Sequence, residues 1–249
     1  MEHRLSNFKV FVEKDYESMS AKAADVFAAA IAAKPDGGFG FATGGTPVGL
    51  YQELIKKVKA GKLSFAKMTT FNLDEYFPIS RSMEQSYYRF MCDELFDHVD
   101  VDMSRVHVPN GEAKDPEAEC AAYEKALADF GYVELQLLGI GLDGHIGFNE
   151  PNDHFPAKTN YVKLDASTIE ANARFFDSKD QVPTAAMTMG IQSIMMAKEI
   201  LLVANGAKKA HIIKEMIFGN IKPQVQASAL QLHRNVTVVL DEEAAAEIM

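Results

Sequence analysis

Short apolar runs alternate along this chain with longer amphipathic stretches. The runs Phe8–Val12, Gly38–Ala42, Met68–Leu73, Arg105–Val108, Glu134–Ile140, Ile200–Ala204 and Asn235–Leu240 read as strands. The stretches Tyr16–Lys34, Pro47–Lys59, Gln85–Phe96, Pro116–Phe130, Thr184–Met195 and Lys208–Phe218 read as helices, with Pro35, Gly61, Gly131 and Gly219 near their ends. Strands separated by helices are the pattern of βαβ units. They predict an α/β fold, a parallel sheet with helices on both faces and right-handed crossovers. No repeat, low-complexity tract or linker interrupts the pattern, so residues 1–249 are expected to form a single domain. In such a sheet a ligand sits beyond the carboxyl ends of the strands, and the loops there carry the chemistry.

The first such loop is Thr43-Gly44-Gly45-Thr46-Pro47. Thr46 has the chemistry of an N-cap and Pro47 suits a first helical turn. The two glycines leave backbone N–H groups free to face an anion at the helix's positive end. A plain, well-capped turn explains the same residues. The second loop, Asn72-Leu73-Asp74-Glu75-Tyr76, places two carboxylates at a strand end. They suit a cap or solvated turn, or a partly buried base whose affinity for a proton is raised by desolvation.

The third loop runs Gly139-Ile140-Gly141-Leu142-Asp143-Gly144-His145-Ile146-Gly147-Phe148-Asn149-Glu150-Pro151. Its GIGLDG matches a dinucleotide fingerprint in composition, and Asp165 follows at a fitting distance. That fingerprint must open a helix, which Gly147, Asn149, Pro151 and Pro156 oppose. The loop also gathers Asp143, His145 and Glu150. An imidazole between carboxylates is suited to moving protons near neutral pH, although a loop histidine beside solvated acids has the same spacing. HExxH is absent and His145 and His154 lack a usual ligand spacing, so no metal is expected. Among the cations, Lys209 stands at a helix start just past a strand, where positive charge is disfavoured unless an anion is bound. It is a candidate phosphate ligand. Arg174, in Asn172-Ala173-Arg174-Phe175-Phe176, is a second cationic position.

Composition narrows the class. A net charge of −10 argues against a nucleic-acid partner or an anionic membrane surface. The two cysteines, Cys92 and Cys120, have no CxxC partner and suit a reducing compartment. The first residues lack an apolar signal core and no run reaches membrane-spanning length, so the expected location is cytoplasmic.

With these residues in view, the chain resembles the glucosamine-6-phosphate deaminase (glucosamine/galactosamine-6-phosphate isomerase) family. The resemblance rests on TGGTPVGLY, FNLDEY, SYYRFM, GIGLDGHIGFNEP, ARFFD and QVPTAAMTMG, and spans about residues 8–240. It implies a Rossmann-like, mostly parallel twisted sheet and a small phosphorylated amino sugar as substrate, with no cofactor. The implied reaction converts glucosamine 6-phosphate and water to fructose 6-phosphate and ammonia. By motif, Asp74 would remove the C2 proton, and His145 would assist ring opening with Asp143 and Glu150 orienting it. The phosphate would rest on Thr43 and the Gly44, Gly45 and Thr46 amides, clamped by Lys209 and Arg174. Arg174 falls in a segment, roughly 160–184, that resembles a mobile lid.

One stretch departs from the family. Allosteric hexameric members carry basic residues and a serine soon after FNEP, whereas here Asn152-Asp153-His154-Phe155-Pro156 is followed by Thr159-Asn160-Tyr161-Val162. That implies no amino-sugar-phosphate activation there and a monomer or small homo-oligomer. A 6-phosphogluconolactonase shares a GxGxDGH segment, but FNEP after DGH favours the deaminase. The C4 epimer, galactosamine 6-phosphate, stays open as substrate. A sugar-phosphate-sensing regulator would need a DNA-binding module, and no helix-turn-helix precedes residue 8.

Overall fold

The computed structural model describes every residue except positions 1, 6, 166, 167, 171, 172, 174, 175 and 177. Its strands are β1 (Glu2–Leu5), β2 (Phe8–Glu13), β3 (Gly38–Phe41), β4 (Thr69–Asn72), β5 (Asp74–Phe77), β6 (Val106–His107), β7 (Leu135–Leu138), β8 (Asn160–Lys163), β9 (Ala185–Thr188), β10 (Glu199–Ala204) and β11 (Val236–Asp241). Its helices are α1 (Tyr16–Ala33), α2 (Val48–Lys59), α3 (Tyr87–Glu94), α4 (Pro116–Phe130), α5 (Ile191–Met195) and α6 (Ala210–Phe218).

The main sheet has the order β1-β2-β11-β10-β7-β3-β4-β6. Every pairing in it is parallel except the β1–β2 edge. After β3 the chain adds β4 and β6 on one side, then returns to add β7, β10 and β11 on the other. The order therefore reverses between β3 and β7, which opens a crevice at their carboxyl ends.

Helices cover both faces. Phe41 packs against Phe27 of α1 and Tyr51 of α2 on one side. Phe71 packs against Tyr123 and Phe130 of α4 on the other. Phe27, Phe39 and Phe41 are fully buried, each contributing about 1.5–3 kcal/mol of apolar burial. Local signals set the helix ends. Asp15 caps α1 by accepting from the Ser18 N–H, and Asp115 with Pro116 opens α4, which Gly131 closes in the left-handed conformation.

A second sheet, β5-β9-β8, is antiparallel and stands on the carboxyl side of the main one. It corrects two readings of the sequence. Thr184–Met195 is not one helix: Ala185–Thr188 is strand β9, and Gly190 turns the chain into the short α5. Helical spacing in AAMTMG is overridden by pairing with β5 and β8 on both sides. Likewise Asp74 does not lie in a loop but opens β5. Tyr76, Ile79, Phe148, Leu164, Phe176, Val182 and Ala186 form a small separate core under this sheet.

Candidate active site

Asp74 is placed by the junction of the two sheets. Leu73 donates to the Phe41 carbonyl (3.1 Å) and accepts from the Met189 N–H (2.8 Å), so the chain leaves β4 and enters β5 without slack. Asp74 pairs in register with Thr188 of β9. It is 6% exposed; burial, and then the charge of Glu75, push its carboxyl up to about 8. Such a carboxyl holds a proton far more strongly than a solvated one, as a base working on carbon needs.

The loop after β7 is sewn to the same junction. Phe148 N–H donates to the Thr188 hydroxyl (3.1 Å), and the Asn149 amide donates to the Ile146 and Met189 carbonyls (2.9 and 2.8 Å). Gly147 takes φ +59°, and a β-carbon there would lie 3.5 Å from Asp74 Oδ2 and 2.6 Å from the Thr188 hydroxyl. A side chain at that position would be wedged against the Asp74 carboxyl.

In the same loop, His145 Nδ1 lies 2.8 Å from Asp143 Oδ1, which also accepts the His145 backbone N–H at 3.1 Å. Burial opposes the charge on Asp143, but the contacts with His145 outweigh it and hold the carboxyl below its ordinary value. Asp143 therefore stays ionised, its carboxylate set against the ring at Nδ1 and hydrogen-bonded to the His145 backbone N–H. The ring lies against Gly141, where a β-carbon would be 2.3–2.6 Å from its atoms. Gly141, the second glycine of GxG, makes room for an imidazole. Glu150 accepts from the Asp165 N–H (2.9 Å) and the Thr168 hydroxyl, so its hydrogen bonds among the described residues run to the segment after β8.

The turn after β3 is held from two sides. The Tyr16 hydroxyl donates to the Gly45 and Thr46 carbonyls (each 3.1 Å) and accepts from the Gly49 N–H (2.8 Å). The Thr46 hydroxyl donates to Asn205 (2.8 Å), and the helix instead takes Pro47 as its N-cap, which corrects the reading of Thr46 as the cap. Asn205 precedes Gly206, whose N–H donates to both oxygens of Asp241 (3.0 and 2.9 Å). Lys209 is the N-cap of α6; its ammonium donates to the Ile140 carbonyl at the end of β7. Burial lowers its affinity for a proton, and the nearby charge of Asp143 partly restores it.

The structure therefore gathers Thr43–Thr46, Asp74, Asp143, His145 and Lys209 at the ends of β3, β4, β7 and β10, four neighbouring strands beside the reversal point. Arg174 lies outside the described residues. Tyr16, Asn205, Asp241 and Tyr87 are additions that the sequence did not single out. The Tyr87 ring stands 4.8 Å from Tyr76 and 5.8 Å from Phe148, and its phenol is held protonated by burial, with Tyr76 and Asp74 adding to the effect. Only SYYRFM, with Ser86 as a helix N-cap, hinted at Tyr87. Among the described residues no group of three or more His, Cys, Asp or Glu is arranged to hold a metal ion.

Residues 13–239 match the family described as glucosamine-6-phosphate isomerases/6-phosphogluconolactonase. The chain belongs to this family. Within it, a glucosamine-6-phosphate deaminase of Clostridium botulinum (strain Langeland) is 48% identical over 240 residues, covering 96% of this chain and 98% of that one. A glucosamine-6-phosphate deaminase of Alkaliphilus oremlandii is 48% identical over 236 residues, covering 95% and 98%. Among solved structures, a monomeric glucosamine-6-phosphate deaminase superposes with a TM-score of 0.93 at 47% identity, over 96% of this chain and 99% of that one. A 6-phosphogluconolactonase from Thermotoga maritima has a TM-score of 0.74 at 16% identity, over 94% and 99%; that likeness shows the shared fold of the family.

Proposed function

We propose that this family member releases ammonia from glucosamine 6-phosphate, with Asp74 as the base of the isomerisation. The observation that carries the reading is a buried carboxyl, pushed up to about 8, against Gly147 of the loop that also holds the Asp143–His145 pair. The full-length relatives support the same substrate.

The phosphate rests on the Thr43–Thr46 turn, with Lys209 supplying the positive charge; Arg174 would complete the clamp. Binding at the phosphate holds the reacting carbons still, and that binding energy is used for orientation. His145, beside the Asp143 carboxylate, takes the anomeric proton and returns one to the ring oxygen as the pyranose opens. Asp74 then removes the proton on C2, and its carboxyl, after exchange with solvent, protonates C1 while O1 gains a proton and the amine nitrogen loses one, turning the amino aldose into the imine of the ketose. Water adds to that C2 imine and ammonia leaves, giving fructose 6-phosphate. Of the lid-like segment, roughly 160–184, Asn160–Lys163 is strand β8 and positions 166, 167, 171, 172, 174, 175 and 177 lie outside the described residues. The chain acts as a monomer, in line with the solved relative of that state.

Incubating the purified protein with glucosamine 6-phosphate, galactosamine 6-phosphate and 6-phosphogluconolactone separates the family's activities. Ammonia is expected from the first. Hydrolysis of the lactone without ammonia from either amino sugar would overturn the reading.

A further inference from the structure

Glu75 follows the base directly but, on a strand, points away from it, and neither substrate contact nor proton transfer accounts for it. It is 1% exposed. One carboxylate oxygen accepts the N–H groups of Tyr76 and Tyr87, each at 2.9 Å. The other accepts the Ser86 hydroxyl at 2.8 Å and the Tyr88 N–H at 3.0 Å. Ser86 donates to Glu75 while its own oxygen accepts the Arg89 N–H. Burial raises the affinity of this carboxyl for a proton above its ordinary value, and the four donors that converge on it oppose that rise by favouring the anion. They belong largely to the first turn of α3, whose dipole also favours negative charge. A buried anion of this kind is costly to build, and a neutral cap would fasten α3 as well.

We propose that Glu75 is a positioning residue for the base: the donors at the start of α3 favour its anion, so that Asp74 works beside a second negative charge. This rests on Asp74 being the base. The same hydrogen bonds set the start of α3 and so bring the Tyr87 phenol to Asp74. Among the described residues, the ionisable groups that act on Asp74 are Glu75 on its own strand, Tyr87 on α3 and Tyr123 on α4. Both phenols are neutral at physiological pH, burial holding each well above its ordinary value. Across from Asp74, β9 presents Thr188 and the loop presents Gly147 and Asn149, all uncharged. Glu75 is therefore the charge in this shell that strengthens Asp74 as a base.

The test is carbon-13 NMR titration of aspartate-labelled protein, with the Asp74 signal identified by its loss in Asp74→Asn. Glu75→Gln removes the charge and keeps the shape. The Asp74 midpoint is expected to move down by at least about one pH unit, while kcat falls about 3- to 10-fold and KM changes less than about 3-fold. An unmoved midpoint overturns the proposal, whatever happens to kcat. Should Glu75→Gln fail to fold, Glu75→Asp keeps the charge. Its midpoint is then expected to stay within about half a unit even as stability drops, and a fall as large as one unit overturns the proposal. Absence of ammonia release by the unmodified enzyme would sink the deaminase reading while leaving this titration to be judged by itself.

Discussion

Asp74 Oδ2 stands 3.5 Å from where a β-carbon on Gly147 would sit, although Asp74 opens β5 and Gly147 lies in the loop after β7. The contact makes the loop carrying His145 one wall of the base's pocket. Gly147→Ala meets both the 2.6 Å approach to the Thr188 hydroxyl and a φ of +59° that alanine rarely adopts. The variant is expected to lose at least about 10-fold in kcat and to melt earlier, by roughly the 1–3 kcal/mol typical of backbone strain. Steady-state kinetics with calorimetry checks both, and wild-type turnover would separate the loop from the base.

Asp74→Asn removes the base but keeps its volume. Turnover should fall at least about 10²-fold, the usual scale for a positioned general base. Stability should move the other way. The folded-state value of about 8 lies above the ordinary 3.8, so between those values the folded protein holds a proton that the unfolded chain releases. Its stability therefore falls as pH rises across that window. Asparagine has no such proton to lose. The variant should melt above the wild type at pH 8, with the gap shrinking as pH approaches 4. Equal melting temperatures at every pH would refute this.

The pH dependence of catalysis follows from the same group. A base must be ionised, so kcat/KM, which reports the free enzyme, is expected to fall as pH drops through about 8. An ordinary exposed carboxylate would place that limb near 4. A pH–rate profile in non-binding buffers distinguishes them.

The cradle should affect binding more than chemistry. Tyr16→Phe frees the Gly45 and Thr46 carbonyls and the Gly49 N–H from their shared hydroxyl. Asn205→Ala removes the acceptor of the Thr46 hydroxyl. Each loss of a hydrogen bond of about 1 kcal/mol should raise KM roughly 5-fold with a smaller effect on kcat. A fall in kcat with KM unchanged would place the phosphate elsewhere.

The sequence revealed the parallel sheet because buried strands such as Leu135–Leu138 and Val236–Val239 are nearly continuous apolar runs bounded by turns. The site's residues were legible for a related reason: glycine-rich loops after strands have few structural uses. What stayed hidden depends on contacts distant in the chain. The β5-β9-β8 sheet consists of short strands whose partners lie far away, and Ala185–Thr188 has helical spacing until β5 and β8 claim its backbone. Tyr16 sits in a helix like any amphipathic tyrosine, and only folding brings its hydroxyl to Thr46, 30 positions on. Asp74 and Glu75 are indistinguishable by spacing. Their opposite roles arise because the strand turns one toward Gly147 and the other into the first turn of α3.

In the proposed reaction Asp74 moves a proton between neighbouring carbons of a sugar held by its phosphate. Solvent exchange in deuterium oxide tests it most directly, with ligand binding followed by calorimetry. Wild-type protein should place solvent deuterium on the product at C1, and Asp74→Asn should bind a sugar phosphate within about 3-fold of wild-type affinity yet lose at least about 10²-fold in the exchange rate. Exchange by Asp74→Asn at close to the wild-type rate would contradict the account.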